Sequence, residues 1–207
     1  MESLERQNQI ADRLMKKRGM PAITAIIAAG DIMSAERAQK LVESGEWDVD
    51  RALTLTGSYA RLDLALKFHA QGRLKTADLF AQLPELWRGS DPDDTDGRYL
   101  RLWKSAWVAN GRHYIRDGRS LPRSGRLLTV YRGQMPEDKF GIAWTTDPKI
   151  AQVFANGAGA RVPQNGTVFM AHVHRDHVYA YLTGRGESEV ILDPFMLRPP
   201  TGAVQTR

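Results

Sequence analysis

The chain has 207 residues, of which 42% are hydrophobic, and its 29 basic and 24 acidic residues give a formal net charge of +5. This length predicts one domain, or a small domain with a helical companion, and the hydrophobic fraction excludes a disordered chain. The absence of cysteine excludes disulfides, thiol nucleophiles and cysteine-based zinc sites. The positive charges are dispersed, so they are only a weak indication of a nucleic-acid partner.

No segment of the sequence is typical of secretion or membrane insertion. Residues 1–6 lack a basic start followed by an apolar core, and the longest apolar run, Ala22 to Ala29, is far too short to span a bilayer. We therefore expect a soluble, cytoplasmic protein without a membrane partner.

Apolar residues recur at the period of a helix throughout the first 118 residues. Ser3 is the predicted N-cap of a first helix, and Ser34 that of a second helix, which Gly45 ends. Further helical segments are predicted over residues 49–70, 76–86 and 96–117.

From Arg126 onward the hydrophobic pattern changes to the period of a β-strand. Strands are predicted over residues 127–132, 166–174, 177–182 and 187–192. The sequence therefore predicts an α+β protein, with a helical region over residues 1–120 and a mixed, mainly antiparallel sheet domain over residues 121–207.

One helix interrupts these strands. Asp147 is its predicted N-cap and Pro148 its first residue. Ile150, Val153 and Phe154 are predicted to form its core face, and a glycine-rich loop follows it.

Two carboxylates open the last predicted strand. Because side chains alternate along a strand, Glu187 and Glu189 are predicted to share one face with Ile191, about 7 Å apart. Like charges on a half-buried face are costly unless an opposite charge or a ligand meets them. The pair is therefore a candidate functional site; the alternative is a solvated edge strand paired with Arg132 or Arg185.

Two earlier segments belong with this pair. Arg132 alternates onto the face of Leu128 and Val130, and Gly133 lets a backbone or a ligand approach closely. Taken alone, Arg132 is expected to close the strand end against a carboxylate. In the second segment, Gly141 to Pro148, an apolar strand runs into the hydroxyls of Thr145 and Thr146.

An inward arginine, a hydroxyl-bearing strand-to-helix junction and a Glu-x-Glu strand, in this order, resemble the arginine–serine–glutamate group of mono-ADP-ribosyltransferases, which are the cholera-toxin-like and bacteriophage-type enzymes. The resemblance covers residues 126–195 and none of the N-terminal half. It implies a split-sheet ADP-ribosyltransferase-like domain, NAD as substrate, and a phage or bacterial effector in the host cytoplasm. It leaves open whether the helical region covers the NAD cleft or docks the target.

The resemblance also implies roles for the three segments. Arg132 would anchor the NAD phosphates or the adjacent ribose, and Glu189 would stabilise the positive charge that develops on the ribose. Glu187 would orient or deprotonate the nucleophile. The Glu-x-Glu form resembles enzymes that modify arginine, so a protein arginine is the first expected acceptor.

Around these residues the resemblance implies a nicotinamide pocket braced by Thr145 and Thr146. Either Ala143 or Thr145 stands where the family has its serine, depending on the alignment. Trp144 either stacks on nicotinamide or belongs to the core. Arg161, in the glycine-rich loop, is either a second phosphate contact or a solvated arginine.

Two other functions remain open on the sequence alone: ADP-ribosylation of a nucleic acid, and a non-catalytic interaction module. His172, His174 and His177 suggest zinc at first sight, but Asp176 is the only carboxylate nearby. We expect no metal site.

Overall fold

The computed structural model describes residues 2–91, 96–122, 125–136, 140–157 and 165–198. The chain divides into two compact units, residues 1–93 and residues 94–207. Within the described ranges it is an α+β protein with seven α-helices and a six-stranded mixed sheet, and six of the helices precede the sheet. The predicted fold class is confirmed at this level.

Helices make up the first unit. They are α1 (Glu2–Arg18), α2 (Ala22–Glu43), α3 (Val49–Leu55), α4 (Arg61–Ala70) and α5 (Thr76–Arg88). The buried cluster formed mainly by α1 and α2 consists largely of alanines, among them Ala11, Ala25 and Ala28, because small side chains let two helix backbones approach closely. No helix in the described ranges combines the length and hydropathy that a membrane crossing requires.

The predicted start of α2 is wrong. The helix begins at Ala22, directly after Pro21, so Ser34 lies inside it and caps nothing. Burial of Ala25 and Ala28 outweighs the local preference of a serine for a cap. The predicted stop is confirmed, because α2 ends at Glu43 and Gly45 follows with a φ of 82°.

In its described residues, the second unit contains two α-helices and the six strands. They are α6 (Arg98–Ala109), β1 (Ile115–Arg116), β2 (Leu127–Gln134), β3 (Ala143–Thr145), α7 (Pro148–Ala155), β4 (Thr167–His174), β5 (Val178–Leu182) and β6 (Glu189–Leu192). The strand order is β1-β5-β6-β3-β2-β4, with β1 parallel to β5 and every other pair antiparallel. In the part of the sheet that the structure describes, one residue pair, Tyr131 with Thr145, joins β2 to β3.

The helix predicted over residues 96–117 is shorter in the structure. It ends at Ala109, because Gly111 and Arg112 both have left-handed φ angles, of 68° and 61°, which a helix does not accommodate. The chain then turns, and Ile115 pairs with Ala180 of β5 as the parallel edge strand β1.

The face of α7 that is buried differs from the predicted one. Val153 and Phe154 are 49% and 40% exposed, whereas Ala151 and Ala155 are fully buried. The reason is Gly133 of β2: a Cβ atom there would lie 1.9 Å from the Ala151 carbonyl oxygen. The helix backbone rests on the strand backbone, so the small side of α7 faces the sheet and the large apolar side does not.

A buried polar pair joins β5 to the residue that follows β6. The Tyr179 hydroxyl of β5 donates a hydrogen bond of 3.4 Å to the Asp193 carboxylate, and both residues are buried. Burial, together with the neighbouring Asp193 charge, raises the pKa of Tyr179 to about 12, so the phenol stays protonated at neutral pH.

The contact between β2 and α7 gives a stability prediction. Gly133→Ala should lower the free energy of unfolding by about 2–3 kcal/mol, because the new methyl group meets helix backbone that has no room to move. Urea denaturation followed by circular dichroism measures this loss.

Gly30→Ala in α2 is the matched control, since its Cβ atom would meet only the flexible end of Gln7, at 3.3 Å. It should be neutral, or stabilising by up to about 1 kcal/mol, because alanine favours a helix over glycine. Equal stability of both variants would contradict the close packing of α7 on β2.

Candidate functional site

Cross-strand pairing places a row of three side chains on one face of the sheet. Thr145 of β3 pairs with Glu189 of β6 on one side and with Tyr131 of β2 on the other. Directly paired residues of antiparallel strands point to the same face. Glu189 therefore lies beside Thr145, half-buried, on the face that it shares with Ile191, as the strand alternation predicts.

Glu187 lies in a turn and not in the strand. The strand β6 begins only at Glu189, and Ser188 between the two glutamates has a left-handed φ of 48°. The alternation argument therefore does not reach Glu187, and the prediction that one strand carries both carboxylates is wrong. A left-handed non-glycine residue costs roughly 1–2 kcal/mol, which the surrounding contacts offset.

Two hydrogen bonds fasten this turn to the end of β3. The Thr145 hydroxyl donates to the Glu187 carbonyl oxygen at 2.6 Å, and the Thr146 amide donates to the Ser188 carbonyl oxygen at 3.1 Å. The backbone of the turn that carries Glu187 is thus joined to both threonines, and Glu189 pairs with Thr145. We call residues 187–189 together with Thr145 and Thr146 the glutamate site.

The Thr145 hydroxyl also connects the glutamate site to α7. The Asp147 amide donates to the Thr145 hydroxyl oxygen at 3.0 Å, while the Asp147 carboxylate accepts from the Lys149 amide at 2.8 Å and caps the helix. The predicted cap and the first-turn proline of this helix are confirmed.

Arg132 occupies the other face of the sheet. It neighbours Tyr131 in β2, so its side chain alternates away from the row of Thr145 and Glu189 and onto the face of Val130, as predicted. Its guanidinium is half-buried and donates to the side-chain oxygen of Gln134 and to the carbonyl oxygen of Ala143. Cross-strand pairing therefore does not bring Arg132 into the glutamate site.

Gln134 is a residue that the sequence analysis missed. Its side chain is buried and accepts from the Arg132 Nε–H. The signal was present, because Gln134 stands two residues after Arg132 and so shares its strand face.

Two other predicted site residues, Gly133 and Trp144, pack against the protein itself. Gly133 meets the backbone of α7, as described above, so the close approach there is that of a helix. Trp144 is 3% exposed within the sheet core, and its indole N–H donates to the Gly141 carbonyl oxygen at 3.0 Å, which corresponds to the core alternative. Arg161 lies outside the described residues.

The histidines near the end of β4 make local contacts. The His172 ring lies 3.3 Å from the Thr129 hydroxyl, and His174 forms an ion pair of 3.2 Å with Asp176 when protonated. In the described part of the chain, no group of three histidine, aspartate or glutamate side chains is placed to hold a metal ion.

No family model, curated protein or solved structure matches this chain. The function must therefore be argued from the glutamate site itself: two half-buried carboxylates, one held by a strand ladder and the other by a strained turn, beside two threonines.

The left-handed residue between the glutamates gives a second stability prediction. Ser188→Gly should raise the free energy of unfolding by up to about 1 kcal/mol, because glycine adopts this φ without strain. The strain removed from the folded state exceeds the entropy that glycine adds to the unfolded chain. Ser105→Gly, at an exposed position inside α6, should instead lower it by about 0.5–1 kcal/mol. Chemical denaturation of both variants measures the difference, and the same sign for both would contradict the strain at Ser188.

Proposed function

We propose that this protein is an NAD-dependent mono-ADP-ribosyltransferase. It transfers ADP-ribose from NAD to a protein acceptor, an arginine side chain, and releases nicotinamide. The observation that supports this best is the glutamate site, in which the Glu187-Ser188-Glu189 turn is joined to Thr145 and Thr146 by two hydrogen bonds. Two of the three sequence segments, the threonine junction and the Glu-x-Glu segment, therefore meet at one place.

The reaction requires a carboxylate beside the ribose. As the bond to nicotinamide breaks, positive charge develops on the sugar, and a fixed negative group stabilises that charge in the transition state. Glu189 suits this role because it is half-buried and its backbone is held between β3 and β5. A carboxylate on a backbone held from both sides needs less reorganisation when the charge appears.

Glu187 suits the second role, which is to accept a proton from the incoming nucleophile. It is half-buried in the turn that precedes β6, two residues before Glu189, and the left-handed Ser188 separates the two glutamates. Two carboxylates in different surroundings can divide electrostatic and proton-accepting work between them.

Arg132 is part of the proposal because of its positive charge. A half-buried guanidinium with permanent charge suits the phosphates of NAD. Gly141 lies against this guanidinium, since a Cβ atom there would lie 3.0 Å from Nη2. Its place on the opposite sheet face means that the proposal depends on the glutamate site and not on Arg132. We place the reaction in the cytoplasm, which is the host's if the enzyme is phage-encoded.

The proposed roles separate the two glutamates kinetically. Glu189→Ala should abolish both ADP-ribose transfer and NAD hydrolysis, by about 10²–10³-fold or more, because the developing charge loses its counter-charge. Glu187→Ala should lose transfer to arginine but retain hydrolysis. Labelled NAD, a bacterial lysate and an assay of released nicotinamide measure both reactions.

Asp176→Asn removes a carboxylate that is 79% exposed in the same unit and should leave both reactions unchanged. Full activity of both glutamate variants, or no activity of the folded wild type on any acceptor or on water, would overturn the assignment.

The charge distribution favours a nucleic acid as a second candidate acceptor. Residues 94–207 contain 16 basic and 10 acidic residues, a net charge of +6, whereas residues 1–93 contain 13 and 14, a net charge of −1. Arg116 and Arg119 are exposed. Their segment is held at Thr183, in the connection that leads to Glu187: the Asp117 carboxylate accepts from the Thr183 amide at 2.6 Å, and the Arg119 amide donates to the Thr183 hydroxyl oxygen at 3.1 Å. Exposed arginines at this place suit a phosphate backbone.

Salt dependence of binding tests this second candidate. If single-stranded DNA binds at this surface, the double variant Arg116→Glu/Arg119→Glu should bind more weakly, and the slope of log K against log salt should become shallower by about 1–2. Arg13→Glu/Arg37→Glu makes the same change in charge at exposed positions of the first unit. Equal effects of the two double variants, or no binding at low salt, would reject the nucleic-acid acceptor.

A further inference from the structure

We propose that Thr145 is a positioning residue for Glu187, and that its hydroxyl sets how ADP-ribose is divided between the acceptor and water. This inference rests on the proposed function. It gives Thr145 a role that differs from the one implied by sequence resemblance, because its hydroxyl holds the turn of the glutamate site and does not need to touch nicotinamide.

The hydroxyl of Thr145 is already engaged by the protein. The residue is 5% exposed. Its O–H donates to the Glu187 carbonyl oxygen at 2.6 Å, and its oxygen accepts from the Asp147 amide at 3.0 Å. A hydroxyl has one hydrogen to donate, so this donor is not available to a ligand while it holds the turn.

The turn depends on this contact more than the strand does. Glu187 lies between two left-handed residues, Gly186 with a φ of 75° and Ser188 with a φ of 48°, and precedes the first residue of β6. Glu189, in contrast, is paired with Thr145 in β3 and with Leu182 in β5. Loss of the Thr145 hydroxyl should therefore displace Glu187 and leave Glu189 in place.

The two fates of ADP-ribose differ in what they require of Glu187. In both, the bond between ribose C1 and the nicotinamide nitrogen breaks, and its electron pair neutralises the pyridinium. In transfer, the arginine nitrogen forms the new bond to C1 and its proton goes to the Glu187 carboxylate. In hydrolysis, water forms the bond and its proton can go to bulk water, so a displaced Glu187 matters less.

Substitutions at Thr145 test the role. Thr145→Val keeps the shape of the side chain but removes the hydroxyl, and should lower transfer to an arginine acceptor by about 10–100-fold, because small misplacements of a reacting group are this costly. NAD hydrolysis should change by less than about threefold, because the attacking water does not need a correctly placed Glu187. Thr145→Ser keeps the hydroxyl and should restore transfer.

Thr129→Val is the matched control. Its hydroxyl lies in the neighbouring strand β2 and contacts His172 at 3.3 Å, outside the glutamate site. This variant should keep the ratio of transfer to hydrolysis of the wild type. An equal loss of both reactions in Thr145→Val, or no loss of transfer, would overturn the positioning role.

Amide hydrogen exchange separates this inference from the proposed function. In Thr145→Val, the Asp147 and Thr146 amides should exchange faster, since their acceptors are lost or displaced, whereas the amides of β2 and β4 should not change. Unchanged exchange at residues 146 and 147 would reject the contact itself. A wild type without either reaction, but with the expected exchange difference, would reject the transferase and with it the division of ADP-ribose, while the contact between Thr145 and the turn would stand.

Discussion

Thr145 is the residue on which the geometry of the second unit depends. It pairs with Tyr131 and with Glu189, and the first of these is the only residue pair that joins β2 to β3 in the described part of the sheet. Its hydroxyl ties the turn before β6 to the junction that starts α7. The Thr145 backbone therefore takes part in two strand pairings, and its hydroxyl joins a turn to a helix start, because a buried hydroxyl must satisfy both its donor and its acceptor capacity.

The second constraint is the close approach of α7 to β2. Because Gly133 has no side chain, the helix backbone rests directly on the strand, and this fixes where the junction between β3 and α7 passes. This packing restrains the glutamate site through the end of β3. The end of β3 cannot shift without moving the helix, so the carbonyl groups of the glutamate turn meet donors whose positions are already determined.

Arg132 and Glu189 stand on opposite faces of the sheet in the second unit. Arg132 is engaged by Gln134 and by a main-chain carbonyl within one face of the sheet, whereas the glutamate site lies by Thr145 on the other face. The half-buried carboxylates stand in a unit whose net charge is +6. A positive environment of this kind favours negatively charged partners, and NAD carries a pyrophosphate.

The amino-acid sequence by itself determined what depends on neighbours along the chain: the change from helical to strand periodicity, the Asp147-Pro148 helix start, the glycine stop of α2, and the face of β2 that Arg132 occupies. Only the tertiary structure decided that Ser188 is left-handed, that Glu187 leaves the strand, and that α7 buries its alanines. These features depend on contacts between residues distant in sequence, such as Gly133 with Ala151 and Thr145 with Glu187. A periodic pattern records which side chains are apolar, but it does not record how closely two backbones approach or which carbonyl a buried hydroxyl meets.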